Sequence, residues 1–145
     1  MISIGIHRTL ATLLTVGLLQ PMLFAQAAPH EISTSDGVYT AQQAQQGKTL
    51  YQAQCLICHG PSLEGMGPNS PLAGPAFLSK WTGRTVAALF QKTIVMMPAT
   101  GPGTLSPQHT AEIIAYILSV NKVPPGKTDL PSDPLSLEKI QIAAP

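Results

Sequence analysis

Apolar positions along the chain gather into three helical patterns separated by long irregular joints. The first follows Thr40-Ala41-Gln42-Gln43, which fits a capping box, where hydroxyl and amide satisfy opposite orphan backbone donors. Behind it Ala44, Gly47 and Tyr51 recur on one face through Ala53, with Leu50 beside them. Gly47 inside that helix costs about 1 kcal/mol against Ala. It is either merely tolerated or kept so that another backbone can come close. The second pattern opens at Thr85 and turns Val86, Leu89, Phe90 and Ile94 inward. The third is the strongest. Ser106 is its N-cap, Pro107 its first helical residue, and Ile113, Ile114, Ile117, Leu118 and Val120 its broad apolar face. Asn121 followed by Pro124-Pro125 stops it.

The joints are equally informative. Residues 60 to 81 read as loop throughout, with Gly60, Gly65, Gly67, Gly74 and four prolines. A structureless stretch of that length is uncommon in a compact domain unless it wraps something. Pro98 to Gly103 forms a second joint, and residues 126–145 hold no amphipathic period. No strand, repeat or low-complexity tract stands out. The expected fold class is all-α, a small globule of three to four helices with long Gly/Pro-rich loops.

The N-terminus follows a different logic. Arg8 precedes an apolar run, Leu10–Leu19, which Pro21 breaks, and Ala25-Gln26-Ala27 supplies the small–x–small pattern read by a signal peptidase. Residues 1–27 are therefore expected to be a secretory signal peptide. An uncleaved anchor is the alternative, but the apolar core is short for a bilayer span. The mature chain then comprises an N-terminal extension (28–38), a central domain (39–123) and an extended tail (124–145). It has no transmembrane segment and works in the periplasm.

Composition narrows the function. The 145 residues suit one modest domain, and the 10% charged fraction is far below the usual quarter or so. Without Arg8 the chain holds seven bases and seven acids, which is no footprint for nucleic acid. Two cysteines allow a single bridge, too few for a disulfide-stapled miniprotein.

Both cysteines fall in Cys55-Leu56-Ile57-Cys58-His59, the arrangement that marks covalent attachment of haem c. Cysteines three residues apart on one turn can reach the two vinyl groups of neighbouring pyrroles. The next residue then projects its imidazole toward the iron. Gly60-Pro61 supplies the turn that must follow. A thioredoxin-like pair would need a strand–helix context that is missing here. A zinc site would need four ligands, and His30 and His109 offer no second paired motif. A chance match in a secreted protein is the remaining alternative, and the export signal speaks against it, since haem attachment belongs outside the cytoplasm.

A low-spin electron carrier needs a sixth ligand, commonly methionine. Met66 lies only eight residues after Cys58 and would have to swing around the ring edge. Met96-Met97-Pro98 sits in a joint between two helices, and Pro98 restricts the backbone beside Met97. Met97 is preferred, with Met96 as the alternative. Two core methionines beside another ligand is the competing reading. His109 could replace them, but it sits in the first turn of a helix, where solvation is expected.

The span from Tyr39 to Asn121 resembles a class I cytochrome c. The resemblance rests on Gln46-Gly47-Lys48-x-Leu50-Tyr51, Cys55 to Gly60, Pro71 to Phe77, Met97-Pro98 and Ala115-Tyr116-Ile117-Leu118. It implies that the first and last helices cross, with Gly47 and Tyr51 meeting Tyr116. It also implies that Pro71 lends its carbonyl to the His59 ring N–H, raising ligand basicity. A narrower resemblance is to the cytochrome domains of quinohaemoprotein alcohol dehydrogenases. It rests on Trp81 to Thr85, Pro102-Gly103-x-Leu105-Ser106, Ile114 to Asn121, and Pro124 through Pro131. That resemblance implies a quinoprotein dehydrogenase as electron donor, and haem propionates near Trp81 and Arg84. Trp81 as an ordinary buried Trp and Arg84 as a solvated charge remain open alternatives. The match to those domains stops short of a propeller, so no dehydrogenase site is expected in this chain. The expected function is a periplasmic single-haem electron carrier, not an enzyme, passing electrons to the respiratory chain. A haem c subunit of another respiratory complex, a haem peroxidase and a gas-binding protein are the alternatives.

Overall fold

The computed structural model describes residues 31–145; the leader expected over residues 1–27, and His30, lie outside them. Local capping chemistry sets the three main helices. Thr40 Oγ1 accepts the Gln43 N–H (3.1 Å) to open α1, Ala41–Gln54. Thr85 Oγ1 accepts the Ala88 N–H (3.2 Å) to open α4, Val86–Met96. Ser106 Oγ accepts the His109 N–H (3.1 Å) to open α5, Pro107–Val120, with Pro107 at its first position. Between α1 and α4 lie the single turn α2, Leu56–His59, and α3, Pro75–Trp81.

Helix α3 corrects the loop expected over residues 60 to 81. Gly74, at φ +78°, delivers the chain to Pro75, a residue that starts helices as readily as it ends them. Phe77 and Trp81, four apart, then bury one face, with ring centroids 6.3 Å apart.

The α1–α5 crossing is the centre of the fold. A Cβ on Gly47 would fall on the Glu112 carbonyl, so the two helix backbones touch there. Close approach, rather than tolerance, is the reason for this glycine. The atoms nearest that position belong to the Glu112 and Ile113 backbone. Tyr51 meets Tyr116 as the resemblance implied, ring centroids 5.3 Å apart and tilted by 57°. The core continues through Val86, Leu89 and Phe90 of α4 and Ile113, Ile114, Ile117 and Leu118 of α5, all buried, with Ile94 and Val120 packed at its margin.

The tail joins the same core. Leu130, Leu137, Ile140 and Ile142 are buried. Gln43 explains how: its carboxamide donates to the Leu130 carbonyl (2.9 Å) and accepts the Leu130 N–H (2.7 Å). The amide half of the expected capping box is therefore absent, because satisfying the buried Leu130 backbone outweighs capping an end open to water. A short helix α6, Pro134–Leu137, follows, capped by Asp133, whose carboxyl the Ser136 donors hold below the usual range. Strand β1, Ile32–Ser33, pairs in parallel with β2, Ile140–Gln141, in register Ile32↔Ile140. Neither strand was expected. Two-residue strands carry no periodicity, and this pair joins the two ends of the described residues. Among the described residues no helix is long and apolar enough to cross a membrane.

Candidate functional site

Cys55 closes α1, its N–H bonded to the Tyr51 carbonyl (2.8 Å), and its own carbonyl starts the next turn by accepting from His59 (2.9 Å). One turn thus carries Cys55, Cys58 and His59. Gly60, at φ +79°, then reverses the chain, a conformation that costs glycine little. The Tyr51 hydroxyl donates to the Gly60 carbonyl (2.6 Å), fastening the end of the turn to α1. Burial is the main cause pushing the Tyr51 phenol far above its usual range, so it remains a donor. Burial, then the neighbouring Cys58, raises the free Cys55 thiol to about 11.

His59 is 8% exposed, and its Nδ1 lies 3.0 Å from the Ser70 carbonyl. A carbonyl can only accept, so Nδ1 carries a proton, and it is Nε2 whose lone pair the neutral ring offers. The acceptor is Ser70, not Pro71 as the resemblance implied: the carbonyl one residue earlier points at the ring.

A single cleft brings these groups together. Cys55, Cys58 and His59 line it from the α1–α2 side, and Met97 lines it from the end of α4. Leu72, Trp81, Leu89, Ile113 and Ile117 supply apolar wall. Met97 ends α4 in an extended conformation (φ −120°, ψ 154°) and is half-buried. Met96 stays on the helix, 49% exposed, with Lys92 Nζ 3.5 Å from its sulfur. Met96, Met66 and His109 do not line the cleft, and Met66 and His109 are exposed.

Two sulfurs on one turn, an imidazole held by one carbonyl, a thioether and an apolar wall form a set that fits haem c, and it surrounds this cleft. Among the described residues no three of His, Cys, Asp and Glu converge as a metal site.

The cleft also holds residues the sequence pattern did not single out. Lys80 and Lys92 line it, twelve positions apart with no shared motif. Arg84 does not; its guanidinium lies 5.7 Å from the centroid of the Trp81 ring. Trp81 itself is both buried and part of the wall.

The family model for cytochrome c oxidase, cbb3-type, subunit III matches residues 42–117, more than half of the chain. Among curated proteins, none matches. Among solved structures, the sulfane dehydrogenase SoxCD of Paracoccus pantotrophus is similar, with 22% identity and a TM-score of 0.44. That match covers 76% of this chain and 62% of the other, so the chain spans less than two thirds of that protein's length. From the family match and the attachment motif inside it, the chain belongs to the family of cytochrome c oxidase, cbb3-type, subunit III, and is a class I c-type cytochrome that carries haem c covalently.

Proposed function

We propose that this protein is a periplasmic single-haem electron carrier, with haem c held through Cys55 and Cys58 and with His59 and Met97 as the axial pair. The observation that carries the reading is the shared cleft: the attachment turn and the α4 terminus contribute to one wall system. The chemistry supplied by bound haem c is one-electron exchange at iron with both ligands kept in place. Within that scheme His59 offers Nε2 while Ser70 holds its Nδ1 proton. Met97 offers a thioether, and Leu72, Leu89, Ile113 and Ile117 exclude water. Lys80 and Lys92 also line the cleft, and their positive charges would offset the carboxylates of bound haem c.

Replacing Met97 with Ala is expected to abolish the near-infrared band of methionine on ferric iron and to lower the potential, since a soft thioether favours ferrous iron. Met96→Ala should leave both unchanged. The reverse pattern would move the ligand to Met96. Carbon monoxide separates the carrier from a peroxidase or gas binder: a six-coordinate protein resists it near neutral pH, whereas an open iron position takes it up at once.

The donor in this reading is a periplasmic quinoprotein dehydrogenase, and the acceptor belongs to the respiratory chain. The extended pattern from Trp81 to Pro131 supports that donor. The family match favours a second reading, a haem c subunit of another respiratory complex. With seven acids and seven bases in residues 28–145, and redox encounters that bury little area, docking relies on uncharged surface. Exposed Ile57 (82%), Ala99 and Thr100 at the cleft rim would provide it. Haem reduction by a quinoprotein dehydrogenase should therefore slow only a few-fold, roughly two to four times, between low and physiological salt. A drop of about tenfold or more would mean that Lys80 and Lys92 steer the partner. Reduction by a quinol-oxidising complex alone would remove the assigned donor.

A further inference from the structure

Asn121 does more than end α5. It is only 4% exposed, and its carboxamide makes three hydrogen bonds. Nδ2 donates to the Ile117 carbonyl (2.8 Å), which ties the side chain to the last turn of its own helix. Nδ2 also donates to the Leu72 carbonyl (2.9 Å), and Oδ1 accepts the Gly74 N–H (3.0 Å). The two outward bonds grip the strap of residues 70–74 on either side of Ala73. That strap belongs to no helix or strand until Pro75, and it begins with the carbonyl that receives the His59 Nδ1 proton.

The other side of the strap is closed. The Leu72 N–H is bonded to the Leu63 carbonyl (2.8 Å). Gly65, at φ +79°, lies so close beneath it that a Cβ there would come 2.8 Å from the Pro71 nitrogen and 3.0 Å from the Ser70 carbonyl carbon. The segment that aims the Ser70 carbonyl is thus clamped between the chain following the attachment turn and the end of α5. Without the Asn121 grip, the α5 side of that clamp is lost.

We infer that Asn121 is a positioning residue that sets the electron donation of His59 through the 70–74 strap. The inference rests on His59 being an iron ligand, as proposed above. A carbonyl held on Nδ1–H makes an imidazole a stronger donor to a metal. A slackened strap weakens that bond, makes His59 a poorer donor and favours ferrous iron. The potential rises.

The test uses the haem-loaded protein and reads the reduction potential together with the ferric NMR signals of the His59 ring. In Asn121→Leu the potential is expected to rise. Exchange of the Nδ1 proton should accelerate by roughly two- to tenfold, the range that spans weakening to loss of one hydrogen bond. Asn121→Ser, which keeps one short donor and acceptor, should fall between, and it carries the test if the Leu variant does not fold. Gln43→Leu is the control. It removes an equally buried amide that clamps Leu130 and does not contact the strap, so it should lower stability and leave both readouts at wild-type values. If Asn121→Leu and Asn121→Ser lower stability as Gln43→Leu does, with potential and exchange unchanged, Asn121 is a helix cap only and the inference is overturned. If the ring protons of His59 show no hyperfine shift in the wild-type ferric protein, the ligand reading itself falls, and the inference with it.

Discussion

Alanine at both Cys55 and Cys58 is expected to abolish covalent haem, so that acid–acetone extracts all of the pigment and the intact mass falls to that of the polypeptide. The unaltered exported protein should instead show the mass of residues 28–145 plus one haem and resist extraction. The reason lies in the number of independent anchors. The motif occurs once and uses every cysteine in the chain, so no other side chain can form a thioether. What remains in the double variant is the His59 imidazole, the Met97 thioether and an apolar wall, all of which release a group when acid protonates or unfolds them. The single variants should each retain one thioether and stay unextractable, with lower yield. A colourless wild-type polypeptide of the correct mass would defeat the haem assignment altogether.

Gly47→Ala should lower stability, although intrinsic helix propensity alone would raise it by about 1 kcal/mol. Position 47 is interior to α1, and its missing side chain is what lets the Glu112 carbonyl of α5 lie against the α1 backbone. A methyl group there collides with backbone, not with the end of a flexible side chain, so the helices must separate. Separation loosens the Tyr51–Tyr116 contact, and with it the Tyr51 bond to Gly60 that fastens the attachment turn. Overpacking of this kind costs about 1–3 kcal/mol. Because it moves two helix axes, a net loss of about 2 kcal/mol is expected, read from denaturant midpoints of the haem-loaded protein. An unchanged or raised midpoint would show that α1 and α5 do not depend on this contact.

How much of this was legible beforehand depends on the range of the signal. The three capped helices follow from side chains that bond donors within three residues, as Thr40, Thr85 and Ser106 do. The attachment motif is equally local, since one turn of backbone holds all three groups. Asn121 was legible as a stop signal for the same reason. Its grip on Leu72 and Gly74 was not, because those partners lie almost fifty residues away.

The sequence by itself therefore determined the helical class, the identity of the cofactor and the turn that attaches it. Each rests on chemistry complete within a few residues. Tertiary structure decided what depends on direction. Proline at position 75 starts a helix because Gly74 aims it and Phe77 and Trp81 have a core to enter. The carbonyl over His59 is that of Ser70, since packing against Gly65 orients the strap. Met97 reaches the cleft and Met96 does not, because α4 ends between them: the last helical residue keeps its exposed face, while the next, in extended conformation, turns its side chain inward. Lys80 and Lys92 share that cleft only through the packing of α3 and α4. Gln43 abandons half of its cap for Leu130 because a buried backbone pair has no water to fall back on.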